Sequence, residues 1–207
     1  MYKKLDDTTI RNLLEAGICE FAEYGFNQAN IADIAKRSGL SVGVIYKYFD
    51  GKDGFFLACV RHCLKLLDDL MTRVIGEYED VLGNMELVIR QLVKYAREHT
   101  PYFVLYHEIT AGGCRKFAKD MAVEIETSSA KVYGTLFRVA KEKGLIRKDM
   151  DPYVFAFFFD NLLMMLQFSF SCDYYRERMR IFCDGDREDE VLIAELMKFM
   201  RGALGIA

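Results

Sequence analysis

The chain has 207 residues, of which 52% are hydrophobic and 29% charged, with a formal net charge of −3 at pH 7. That is ample apolar material for one small and one larger helical domain, and it leaves no basic domain and no low-complexity tract. The six cysteines form no CxxC pair, so a reduced, cytoplasmic protein without metal or cofactor is expected. Lys3 and Lys4 lead into a charged, capped helix instead of an apolar segment, the opposite of a secretory leader.

In chain order, Asp6, Asp7, Thr8 and Thr9 are helix-capping residues, followed by an apolar stripe at helical spacing through Ile10, Leu13, Leu14, Gly17, Ile18 and Phe21, with Gly25 as the stop. Two short helices come next. Asn30 is a good N-cap and Asp33 favours the positive end of the helix dipole. Ile31, Ile34 and Ala35 share one face, Lys36 and Arg37 occupy the last turn, and Gly39 supplies a left-handed stop. Leu40 is expected to plug the turn. Ser41 then caps a second short helix, Val42 to Phe49, in which Val44, Ile45, Tyr48 and Phe49 recur at intervals of three and four and are expected to face partly inward. Val42, Gly43, Tyr46 and Lys47 are left on the opposite face.

Two short amphipathic helices about a glycine turn are how a small domain offers a helix to the DNA major groove. They also occur in helical proteins that bind no nucleic acid, and periodicity alone leaves both readings open. The segment Ile34-Ala35, Gly39, Ile45-Tyr46-Lys47-Tyr48-Phe49 and Lys52 resembles the N-terminal domain of the TetR/AcrR family of bacterial transcriptional regulators. The resemblance covers about the first 56 residues. It implies that Tyr46, Tyr48 and Lys52 contact DNA phosphates and that Val42, Gly43 and Lys47 sit at the base edges, Lys47 reaching guanine acceptors and Val42 a thymine methyl, with the capping Ser41 also among the DNA-binding residues. Ala32 departs from members that place a longer polar side chain there.

Charge supports this only locally. Residues 1 to 54 hold seven Lys or Arg against eight Asp or Glu, a net of −1. Between residues 31 and 49, however, three cations face one anion, and Lys3 and Lys4 add a cationic arm. A modest salt dependence per subunit is expected, together with a need for dimerisation.

Beyond this head, periodicity predicts helices from about Asp53 to Ile75, Met85 to His99, Pro101 to about Thr110, and Lys116 to Lys143, closed by Gly144. Pro152 opens another that runs at least to Phe170, and Asp186 to Glu188 introduce the last, ending near Leu204. The stretch from Cys172 to Asp186 either prolongs the preceding helix through Arg180 or forms a charged loop. The longest apolar run, Val154 to Phe170, carries Asp160, Asn161 and Gln167 near its middle and end, which reads as a buried helix and not a membrane span. The scarcity of proline and the lack of alternating strand patterns give an all-α protein, with a helix-turn-helix domain over residues 1–52 and a helical effector-binding and dimerisation domain over 53–207.

For that second domain the resemblance implies an apolar pocket for a small effector. Its candidate residues are Tyr102, Phe103, Tyr106, His107, Tyr133, Phe137, Phe158 and Asn161, with His107, Tyr106, Asn161 or Gln167 as polar anchors. It also implies a homodimer built from the last two long helices, through Phe155, Phe158, Phe159, Leu162, Leu163 and Leu166 on one and Leu192, Leu196, Phe199, Met200 and Ala203 on the other. The expected function is a repressor that leaves a pseudo-palindromic duplex when a small apolar or aromatic effector binds. Catalysis is disfavoured: none of His62, His99 and His107 lies three residues after a Glu, as di-metal bundles need, and no nucleophile elbow, phosphate loop or dinucleotide fingerprint is present. Cys59, His62 and Cys63 share a helix face but lack a fourth ligand nearby.

Overall fold

The structure, a computed structural model, describes residues 5–74, 80–111 and 114–206, with no side-chain description for residue 66, residue 68 or residues 70–74. Lys3 and Lys4 lie outside the described residues. Among the described residues there are ten helices and no strand: α1 (Asp7–Gln28), α2 (Ile31–Ser38), α3 (Val42–Phe49), α4 (Gly51–Val74), α5 (Val81–Glu98), α6 (Thr100–Thr110), α7 (Arg115–Glu142), α8 (Pro152–Ser171), α9 (Asp173–Phe182) and α10 (Asp189–Leu204). The all-α class follows. The chain forms two compact units, Met1–Leu66 with Pro101–Lys119, and Leu67–Thr100 with Asp120–Ala207. Two of the boundaries fall inside α4 and α7, where an unbroken helical pattern leaves nothing to mark, and the third falls between Thr100 and Pro101 at the start of α6.

The first unit is organised around the stripe of α1. Leu13, Ile18 and Phe21 are fully buried, and Asp6 caps the helix by accepting from the Thr9 N–H. Gly25 breaks the helix without ending it: at φ 69°, ψ 168° it is non-helical, yet helical turns resume to Gln28. Aromatic rings fill the space beneath. The Phe21 and Phe26 rings each meet the Phe56 ring edge-on at 5.0 Å, and Phe117 stacks on Phe56 at 5.6 Å. Edge-on pairs of this kind add about 0.5–1.5 kcal/mol each beyond area burial.

Gly17 makes room for this cluster. A Cβ there would lie 2.6 Å from the tip of the Phe55 ring and 2.7 Å from the Cys59 sulfur. Gly17→Ala is therefore expected to destabilise the protein by about 1–3 kcal/mol through overpacking, although alanine is the better helix former by roughly 1 kcal/mol. Adding Phe55→Leu should restore most of the loss in a denaturant titration. A Gly17→Ala variant as stable as the parent would show that the ring moves freely.

In the second unit α5 packs on α8 and α10, and α8 on α9. Val88, Ile89 and Met85 of α5 are fully buried, as are Phe137 of α7 and Leu204 of α10. Phe137 takes the Phe155 and Phe159 rings edge-on at 4.7 and 5.6 Å. Arg97 and Arg90 of α5 bond Asp189 and Glu190 in the first turn of α10, where carboxylates also favour the helix dipole; at such exposure each pair contributes about 0–1 kcal/mol.

Two readings of the sequence are corrected here. The stretch after Cys172 is neither an extension of the long apolar helix nor a loop. Cys172 is extended (φ −111°, ψ 130°), and a separate helix, α9, follows. And α8 is not buried all round. Phe159 and Leu163 are buried, but Tyr153, Phe157 and Phe158 are about 60% exposed. At 20 residues and mean hydropathy 1.4, α8 is long and apolar enough to cross a membrane by length and composition, but its polar Asp160, Asn161 and buried Gln167 suit a protein face better than lipid.

Candidate nucleic-acid interface and ligand cavity

The turn between α2 and α3 is built as its residues dictate. Asn30 accepts from the Ala32 N–H at 2.9 Å, Gly39 adopts the left-handed φ of 67° that closes α2, and the Leu40 N–H returns to the Ala35 carbonyl. Ser41 caps α3 by accepting from Val44 at 3.4 Å, and Asp50 ends it in the left-handed region at φ 57°. Ile45 is the single fully buried residue of α3, while Val44 and Phe49 are half-buried. Tyr48, expected to lean inward, is 42% exposed, the same as Tyr46. Its ring instead rests beside Phe49 at 5.1 Å. Gly43 and Lys47 are exposed and Val42 half-buried. The structure thus presents Ser41, Gly43, Tyr46, Lys47 and Tyr48 at the surface on one short helix and its cap.

Lys52 has a second task. Its Nζ donates to the carbonyls of Ala29 at 2.7 Å and Asn27 at 3.3 Å, stitching the start of α4 to the α1–α2 connection. Partial burial, with Lys116 nearby, lowers its pKa, opposed by Asp53. An ammonium has three N–H donors, so one remains beyond these two bonds.

One positioning pair had gone unseen in the sequence, where Glu20 counted only as a charge. Its carboxylate is 3% exposed, accepts from the Asn30 N–H at 2.9 Å and pairs with the Arg37 guanidinium. It holds both ends of α2 against α1. The signal was there: Glu20 follows Gly17 by three residues on the buried side of the α1 stripe, where a lone acid needs a partner.

The effector candidates separate. Tyr102, Phe103, Tyr106 and His107 lie on α6 in the first unit, where Tyr102 donates to Glu15, Phe103 and Tyr106 are buried, and burial lowers the His107 pKa against the opposing effect of Glu108. Phe137 is core and Phe158 is 59% exposed. Tyr133 and Asn161 come together at a cavity of about 460 Å³ between α7 and α8. Glu126, Ser129 and Ala130 join Tyr133 from α7; Tyr153, Phe157, Asp160 and Met164 are among those joining Asn161 from α8. Sequence reasoning missed Glu126 and Asp160: Asp160 is an acid in an otherwise apolar helix, whereas Glu126 stands among many charges on α7 and gave no signal. Burial, then the nearby Glu126 charge, push the Asp160 carboxyl up to about 7. Gln167 stands one turn past Met164, 5% exposed, its Oε1 without a hydrogen-bond partner among the described residues. On α4, Cys59 and Cys63 are buried, which raises both thiol pKa values, and His62 faces Glu15 at 3.2 Å.

A capped two-helix turn that shows one face of its second helix defines a helix-turn-helix head. Residues 13–59 match the family described as bacterial regulatory proteins, tetR family. The HTH-type transcriptional regulator BetI 1 of Chromohalobacter salexigens is 41% identical over 63 residues, which are 30% of this chain and 31% of that relative. The similarity in sequence thus spans about a third of the relative's length. In three dimensions it extends further. The fatty acid degradation regulator FadR from Bacillus halodurans superimposes with a TM-score of 0.71 at 18% identity, over 95% of each chain. AibR in complex with isovaleryl coenzyme A and operator DNA gives 0.68 at 17% identity, over 92% of this chain and 97% of that one. At such identities the likeness is one of fold.

Proposed function

We propose that the protein is a dimeric, effector-responsive transcriptional repressor of the cytoplasm, without catalytic activity, that seats α3 in the DNA major groove. The observation that carries this reading is the exposed row Ser41, Gly43, Tyr46, Lys47 and Tyr48 on a helix-turn-helix head whose sequence matches the tetR family. In it, Tyr46 and Tyr48 bond phosphate, the remaining N–H of Lys52 does the same, and Val42, Gly43 and Lys47 face base edges. With its near-neutral charge, one head binds weakly. Two heads on one pseudo-palindromic site multiply their affinities.

Exposed apolar side chains on α8 and α10 support the pairing surface: Phe157, Phe158, Leu162 and Phe199 are all exposed. A two-fold axis lets such a patch cover itself. Effector binding at the second unit favours a conformation in which the head spacing no longer fits the duplex, and DNA affinity falls by the ratio of effector affinities for the two states.

The test is fluorescence anisotropy with a duplex from upstream of the protein's own coding region. The protein should bind it roughly a thousandfold or more tighter than a scrambled duplex. Phe158→Asp, on an exposed position, should leave the melting temperature nearly unchanged, give a monomer in sedimentation, and abolish specific binding. A parent protein indifferent to duplex sequence would defeat the proposal, as would a Phe158→Asp monomer with full affinity.

A further inference from the structure

We infer that the effector held between α7 and α8 is a small apolar molecule bearing a positive charge, an alkyl- or aryl-ammonium, with Asp160 and Glu126 as its counter-charge. This rests on the regulator reading above and names the chemistry of its ligand. At about 460 Å³ the cavity has the size of a small-molecule site. Its charged groups are both carboxylates. One N–H of the Asn161 amide donates to the Phe157 carbonyl at 2.7 Å, leaving its other N–H and its oxygen, and the Ser129 hydroxyl is turned to Glu126, to its carbonyl at 3.3 Å and its carboxylate at 3.5 Å. Asp160 and Glu126 bring two carboxylates, and among the described residues no Lys, Arg or His lines the cavity. Aromatic rings of Tyr133, Tyr153 and Phe157 complete the wall, and a cation is drawn to the faces of such rings. A ligand carboxylate or phosphate would instead meet two like charges in a partly desolvated site.

The titration of Asp160 agrees with this geometry. Burial and Glu126 raise it to about 7, so the carboxyl exchanges its proton near neutrality. An ammonium beside it favours the ionised form and displaces that proton. Affinity for a fixed cation should accordingly rise as pH passes upward through 7. The titratable groups facing Asp160 across the cavity are Glu126 and Tyr133 of α7, with Tyr153 on its own helix.

Calorimetry with benzyltrimethylammonium and its neutral isostere neopentylbenzene tests the inference on the full chain. At pH 8 the cation should bind at least tenfold tighter than the isostere, and Asp160→Asn should weaken the cation at least tenfold while leaving the isostere no weaker. Glu126→Gln should weaken the cation less. At pH 6 the parent's cation affinity should drop severalfold, and that of Asp160→Asn should not. Circular dichroism and melting of each variant establish that it is folded. Equal binding of cation and isostere, no cation binding at millimolar concentration, indifference to Asp160→Asn, or preference for 3-phenylpropanoate would each overturn it. Duplex binding by the ligand-free parent is measured separately: its failure removes the regulator reading, whereas the cation result speaks only to the cavity.

Discussion

Replacing Lys47 by alanine is expected to lower affinity for the specific duplex by on the order of a hundredfold or more, while affinity for scrambled DNA falls far less. Lys47 is exposed in the last turn of α3, the turn that ends at Asp50. A side chain there that bonds guanine acceptors loses about 1–3 kcal/mol of discrimination per contact, and a two-fold dimer loses it twice. Tyr46→Phe removes only a hydroxyl assigned to phosphate, so it should weaken binding by similar factors on specific and scrambled duplexes. Binding curves for both variants on both duplexes separate the roles. If Lys47→Ala reduced the two affinities equally, Lys47 would be a phosphate contact and base reading would have to lie elsewhere on α3.

The largest loss of stability expected from a single polar change is at Glu20. Glu20→Ala leaves the Asn30 N–H without its acceptor and strands the Arg37 guanidinium, at a cost of about 2–4 kcal/mol out of a total stability of roughly 5–15 kcal/mol. Arg37→Ala leaves a carboxylate that is 3% exposed without its counter-charge and should be comparably harmful. The double variant should be less destabilised than the sum of the two, by about 1–3 kcal/mol, because the second deletion removes what the first had stranded. Urea titrations of the four proteins give the cycle. Strict additivity would mean that the two side chains do not hold α2 together as a unit. Because α2 carries the turn that aims α3, Glu20→Ala should also weaken duplex binding at temperatures where the protein remains folded.

The head was the most legible part of the chain because its signals are local. Asn30, Gly39 and Ser41 act within three or four residues of themselves, through capping bonds and a left-handed turn, so the bounds of α2 and α3 read from the sequence are those observed. Most long helices were equally readable, since a 3.6-residue stripe with Pro152 at one end or Gly144 at the other leaves little choice. Cys172 was harder. Nothing in its type announces a break, and the chain bends there between two helical patterns that run on without a glycine or proline.

Alone, the sequence determined that this is an all-helical protein with a two-helix turn near its start and an outward row on α3, because caps, stops and apolar period act over short distances along the chain. Only the tertiary structure decided which side chains share a site. It placed Glu20 across from Arg37, and Glu126 with Asp160 around one cavity. It also assigned α6 to the first unit and left the rings of Phe157 and Phe158 at the surface. Such neighbours depend on how helices dozens of residues apart pack and on which face each turns inward, and helical period is silent on both once a helix is apolar on more than one side.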